Sequence, residues 1–155
     1  MKLVVQELTI HAPAQVLYEL LTDPALFVQW MADDATLGPR PGGVVRRTHA
    51  NGDTCSGQYL ELVPARRVVF TYGWERVDVE IPPGSTTVEI DLTATTATTT
   101  LLRLVHRGLD DLAAGAHHGG WTHYLDRLRR RAEGSTVGPD PFATQRVPTR
   151  AELRR

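Results

Sequence analysis

The chain has only one cysteine, Cys55, which excludes an intramolecular disulfide and suits a reducing compartment. No apolar run approaches the ~20 residues of a bilayer span, so no membrane crossing is expected. Positive charge is not in excess: 17 Lys and Arg stand against 18 Asp and Glu, without the basic field of a dedicated nucleic-acid binder. There is no Ser-His-Asp arrangement, no phosphate loop, no dinucleotide fingerprint and no internal repeat; Gly42-Gly43 reads as a turn. The start, Met-Lys-Leu-Val-Val-Gln-Glu, meets a charge at Glu7 and does not resemble a secretory leader. Together these absences predict a cytoplasmic protein with no cofactor and no nucleic-acid partner.

What the sequence does carry is a strand-rich body followed by a long helix. Its 155 residues are enough for one domain with one sizeable core. Leu3 to Ile10 reads as a first strand. Val16, Leu17, Leu20 and Leu21 then form one face of a short helix behind Pro13. Asp23-Pro24 ends that helix, and Ala25 to Met31, with Phe27 and Trp30, reads as a second. Strands follow at 44–49, 54–63, 67–74, 86–93 and 98–107. Asn51-Gly52 is a strong hairpin signal because both residues tolerate positive φ.

From Asp110 to Ala132 the pattern is helical. Leu112, Ala116, Gly120, Tyr124, Leu128 and Ala132 recur every four residues, with Trp121 and Leu125 beside that stripe, which predicts one broad apolar face suited to lying on a sheet. Gly115, Gly119 and Gly120 sit inside this helix, each costing about 1 kcal/mol relative to alanine. A close backbone approach, a kink, or space left for something else would each account for them. The expected domain is therefore 1–133. Residues 134–155 are expected to form a Pro- and Arg-containing tail outside that domain, ordered only if it docks on a partner or subunit.

The order of these elements resembles the helix-grip fold of the SRPBCC (START-like) superfamily. Within it, the chain is most similar to the branch named after the heat-shock-protein-90 ATPase activator homologues. The residues that carry the resemblance are Ile10-His11-Ala12-Pro13 with Val16, Asp23-Pro24, Trp30, Pro41-Gly42-Gly43, Gly57-Gln58-Tyr59-Leu60-Glu61 with Pro64, Arg67 to Tyr72, and Gly120-Trp121. The resemblance implies an α+β fold in which a curved antiparallel sheet of about six to seven strands wraps a long C-terminal helix, with two short helices after strand one. It also implies a cavity between sheet and helix, often used for apolar ligands.

Alternation assigns residues to that cavity. Val88, Ile90 and Leu92 share a face, as do Phe70, Tyr72 and Trp74, and as do Leu104 and His106. With Trp30 and the helix residues His117, Trp121 and Tyr124 they form the candidate lining of a site for an apolar or aromatic small molecule. Simple core filling is the alternative reading of the aromatics. His106 and His117 are placed to meet, yet no HxxxH spacing or carboxylate one turn away supports a metal, so none is expected. His106 reads as a polar anchor for a ligand or as a hydrogen-bonded core histidine. Cys55 reads as a small structural residue, and Arg127, Arg129, Arg130 and Arg131 as a solvated basic face complementing the helix dipole. The expected function is small-molecule binding. The alternatives are a polyketide cyclase-like or hydrolase-like enzyme using an inward His or Tyr, and a co-chaperone-like or homodimeric interaction module.

Overall fold

The computed structural model describes residues 2–140 and 145–155. Seven antiparallel strands, β1 (Val4–Ile10), β2 (Asp34–Leu37), β3 (Val44–Thr48), β4 (Thr54–Val63), β5 (Arg67–Tyr72), β6 (Thr86–Thr96) and β7 (Thr99–Arg107), form one sheet. Their order is β1-β7-β6-β5-β4-β3-β2. Helices α1 (Ala14–Thr22) and α2 (Pro24–Phe27) follow β1, and α3 (Asp111–Ala132) follows β7. A short α4 (Arg150–Leu153) lies near the C-terminus.

The sheet's inner face is the one alternation assigns. Val68, Phe70 and Tyr72 of β5, Val88, Ile90 and Leu92 of β6, and Leu102, Leu104 and His106 of β7 are all buried. Register stacks them laterally: Phe70 is opposite Val88, and Val88 opposite His106. Gly57 lets β4 approach β5, since a Cβ there would lie 2.0 Å from the Thr71 carbonyl oxygen. Gly52 turns the β3–β4 hairpin at φ +87°, with Asn51 Oδ1 accepting from the Asp53 amide. Asp23 ends α1, its amide bonding the Glu19 carbonyl, and then caps α2 by accepting from the Ala25 amide at 2.9 Å.

Four sequence readings are corrected. Strand β2 was not expected; its four residues carry too little alternation to signal a strand, and only pairing with β3 defines it. Helix α2 stops at Phe27, and the chain reaches Met31 through successive turns. The buried face of α3 is centred on the flank of the expected stripe: Trp121, Leu125 and Leu128 are buried together with Ala113 and His117, whereas Leu112, the first residue of the stripe, is 42% exposed. The Trp74 indole N–H from the sheet side and the Ala113 carbonyl give both nitrogens of His117 a polar partner in the interior, so histidine takes a core position there. Arg127 is buried as well, donating to the carbonyls of Trp30 (2.9 Å) and Gly138 (3.0 Å); its stem packs inside while Arg129 and Arg130 pair with Asp126 at the surface.

The segment after α3 docks on its own chain. Asp53, at the tip of the β3–β4 hairpin, accepts from the Val147 amide at 2.7 Å and pairs with Arg76. Arg76 also donates to the Val147 carbonyl, and the Asn51 amide to the Gln145 carbonyl. Arg150 of α4 closes the contact on Asp110, the N-cap of α3, at 2.6 Å. Expected tail positions 141–144 lie outside the described residues.

Candidate ligand site between sheet and long helix

Between α3 and the β3–β5 end of the sheet lies a cavity of about 360 Å³, within the range of small-molecule sites. Tyr72, Trp74, His117, Trp121 and Tyr124 line it, as the sequence suggests. Trp30, Phe70, Leu104 and His106 do not. Trp30 is buried against Phe27 and donates its indole N–H to the Leu20 carbonyl. Phe70 packs on Tyr59, and Leu104 is wholly buried among the sheet residues. These three fill the core.

His106 lies just behind the lining. Its Nδ1 accepts from the Trp121 indole N–H at 3.0 Å, so Nε2 carries the proton and faces Thr86 Oγ1 at 2.9 Å. The Thr86 hydroxyl donates onward to the Tyr72 carbonyl. His117 is held in the same way. Its Nδ1–H donates to the Ala113 carbonyl, and Nε2 accepts from the Trp74 indole at 3.2 Å. Each tryptophan of the cavity is thus oriented by a neutral histidine. Burial, then the neighbouring His117 and Arg47, depress His106 to about 3; burial also lowers His117. With both nitrogens of both rings engaged, neither offers a free lone pair to a metal or a substrate proton. No cluster of metal-ligating side chains is found among the described residues.

Two of the three glycines of α3 border this cavity, and the exposed Gly115 does not. Gly119 and Gly120 line it, and a Cβ added at Gly115, Gly119 or Gly120 would meet nothing within 4 Å. Close backbone approach is therefore not their reason. At Gly119 and Gly120 the missing side chains leave open volume.

Sequence reasoning missed the polar end of the site, which β3 and its hairpin supply: Arg47, His49, Asn51 and Asp53, together with Gln145 to Pro148 from the docked segment. Arg47 is buried, with its guanidinium 5.2 Å from the Tyr72 ring centroid and 5.6 Å from that of Trp74, a cation–π arrangement. Its Nε donates to His49 Nε2 at 3.3 Å. Burial and then Arg47 lower His49 to about 4, so at neutral pH its other nitrogen, Nδ1, bears the proton and faces the Tyr124 hydroxyl at 3.3 Å. Tyr124 in turn donates to Asp140 at 2.6 Å. The signal available in the sequence was Val44-Val45-Arg46-Arg47-Thr48: alternation from the buried Val45 puts Arg47 on the inner face.

A larger cleft of about 520 Å³ lies on the other side of His49, lined by Val28, Met31, Asp33, Arg127, Arg131 and residues 136–140. It has no aromatic wall and borders loop backbone, so the smaller, aromatic cavity is the better-built site.

The comparisons with known proteins agree with the fold. A family model, Activator of Hsp90 ATPase homolog 1-like protein, matches residues 11–133. A solution structure of an AHSA1-like protein from Rhizobium etli is 38% identical, covers 95% of this chain and 91% of that one, and superposes with a TM-score of 0.71. The Aha1 protein from Colwellia psychrerythraea, solved as a dimer, is 19% identical over 88% of this chain and 100% of that one, with a TM-score of 0.73. CalU16 from Micromonospora echinospora is 25% identical over 81% of this chain and 73% of that one, at a TM-score of 0.68. No curated protein matches at a significant level. Sequence pattern, sheet topology and family match converge, and the chain belongs to the Activator of Hsp90 ATPase homolog 1-like family.

Proposed function

We propose that the protein binds an aromatic small molecule in the cavity between α3 and the sheet. The observation that carries this reading is the coincidence of two glycines in the middle of a long helix with a space walled by Tyr72, Trp74, Trp121 and Tyr124. A helix that sacrifices about 1 kcal/mol at each such position without gaining a close contact retains volume. The indole rings are fixed by His106 and His117, so the walls are preorganised, which lowers the entropy cost of binding.

An indole-sized ligand burying about 200 Å² would gain roughly 5 kcal/mol at 25 cal/mol per Å². Association entropy removes at least about 4 kcal/mol of that. Apolar burial therefore provides residence in the cavity, and a polar contact must set affinity. Because Trp74 and Trp121 line the space, tryptophan fluorescence reports occupancy. Titration with bicyclic aromatic compounds should quench it saturably, and native mass spectrometry of freshly purified protein should show a bound small molecule. An emission spectrum unchanged by every aromatic compound up to millimolar concentration would refute this function.

A further inference from the structure

Arg47 is the unexplained group of the cavity. It is 4% exposed and lines the space. A buried charge is costly unless it is paired, yet none of the ion pairs among the described residues includes it. Its Nε meets a neutral imidazole, and its faces meet the rings of Tyr72 and Trp74. The carboxylates nearby are committed elsewhere. Asp53 holds Arg76 and the Val147 amide, and Asp140 accepts from Tyr124 and His123. Arg146 at the rim, 64% exposed and 3.9 Å from Asp53, adds further positive charge to the opening.

We infer that the ligand is an aromatic anion, a carboxylate or phenolate, whose charge is received by the guanidinium of Arg47 while its ring lies between the aromatic walls. This rests on the small-molecule reading above and narrows it to a chemical class. A guanidinium presents its donors in a planar fork that matches a carboxylate. Here the Nε donor is already used on His49 and the Tyr72 hydroxyl takes a further guanidinium contact, which together fix the plane of the fork and leave the remaining terminal N–H donors for the guest. His49, bonded on its other side to Tyr124, acts as a positioning residue for Arg47.

The test compares two isosteric probes, 2-naphthoate and 2-naphthamide, by calorimetric titration at pH 7.5. The wild-type protein should bind the carboxylate at least tenfold more tightly than the amide. Arg47→Met should abolish that preference, and Arg47→Lys should keep part of it. Equal affinity for the two probes in the wild-type protein overturns the anion inference and leaves the aromatic-pocket reading standing. Binding of neither probe at millimolar concentration overturns both. The wild-type comparison decides the matter even where the Met variant folds poorly.

Discussion

Replacing Gly120 with alanine separates the two roles of α3, as a rod and as a roof. In the folded protein the new methyl meets no heavy atom within 4 Å, so it brings no steric cost. It removes backbone freedom from the unfolded chain and restores helix propensity, a gain of about 1 kcal/mol. For a chain of this size that raises the melting temperature by roughly 2–4 °C. Gly119→Ala and Gly120→Ala together should add, because both project into open space. The same position lines the cavity, so a larger side chain should fill it. Gly120→Leu is expected to weaken binding of a bicyclic aromatic probe by roughly tenfold to a hundredfold, the equivalent of the 1–3 kcal/mol cost of overpacking. Thermal unfolding followed by circular dichroism, with a parallel fluorescence titration, measures both effects. Destabilisation by Gly120→Ala would show that the space is not open and refute the reasoning, and unaltered binding by the folded Leu variant would place the ligand elsewhere.

Other perturbations test the surroundings of the site. His49 and His106, lowered by burial to about 4 and about 3, bind fewer protons folded than unfolded between those values and about 6.5. Stability is therefore full above pH 6.5 and falls as pH drops toward 4, by up to about 1.4 kcal/mol per pH unit for each ring; proton NMR should show neither imidazole titrating above pH 5, and titration near 6.5 would refute the buried, neutral assignment. Asp53→Ala removes the carboxylate that holds Arg76 and the Val147 amide. It should make the docked segment from Gln145 to Pro148 markedly more susceptible to limited proteolysis, and an unchanged cleavage rate would show that docking does not depend on Asp53. Arg127→Met leaves the Trp30 and Gly138 carbonyls without their donor and should cost about 1–3 kcal/mol; a denaturant midpoint equal to that of the wild type would contradict a structural role for this buried arginine.

The sequence by itself determined the element order apart from β2 and α4, the inner faces of β5, β6 and β7, and part of the aromatic side of the cavity. These are local matters. A period of two assigns Phe70, Tyr72 and Trp74 to one face whatever the sheet does next, Asn51-Gly52 requires positive φ at its turn, and Pro13 and Asp23 mark helix starts through backbone chemistry alone. The rotation of α3 about its axis was decided only by tertiary structure. His117 is a polar side chain in the sequence and becomes a core residue because Trp74 and the Ala113 carbonyl satisfy both of its nitrogens. The same holds for Arg127, whose burial depends on carbonyls contributed by Trp30 and Gly138. Trp30, Phe70 and Leu104 share an interior with the cavity but not its surface, a distinction that periodicity cannot make because it reports a face and not a depth. The polar end of the site was equally hidden. Arg47 and Asp53 look like ordinary charges of a surface hairpin, and only folding the segment at 145–148 over that hairpin encloses them beside Trp74 and Tyr124. Alternation and turn chemistry act between neighbours in the chain, whereas burial of a charge depends on what distant segments bring to it.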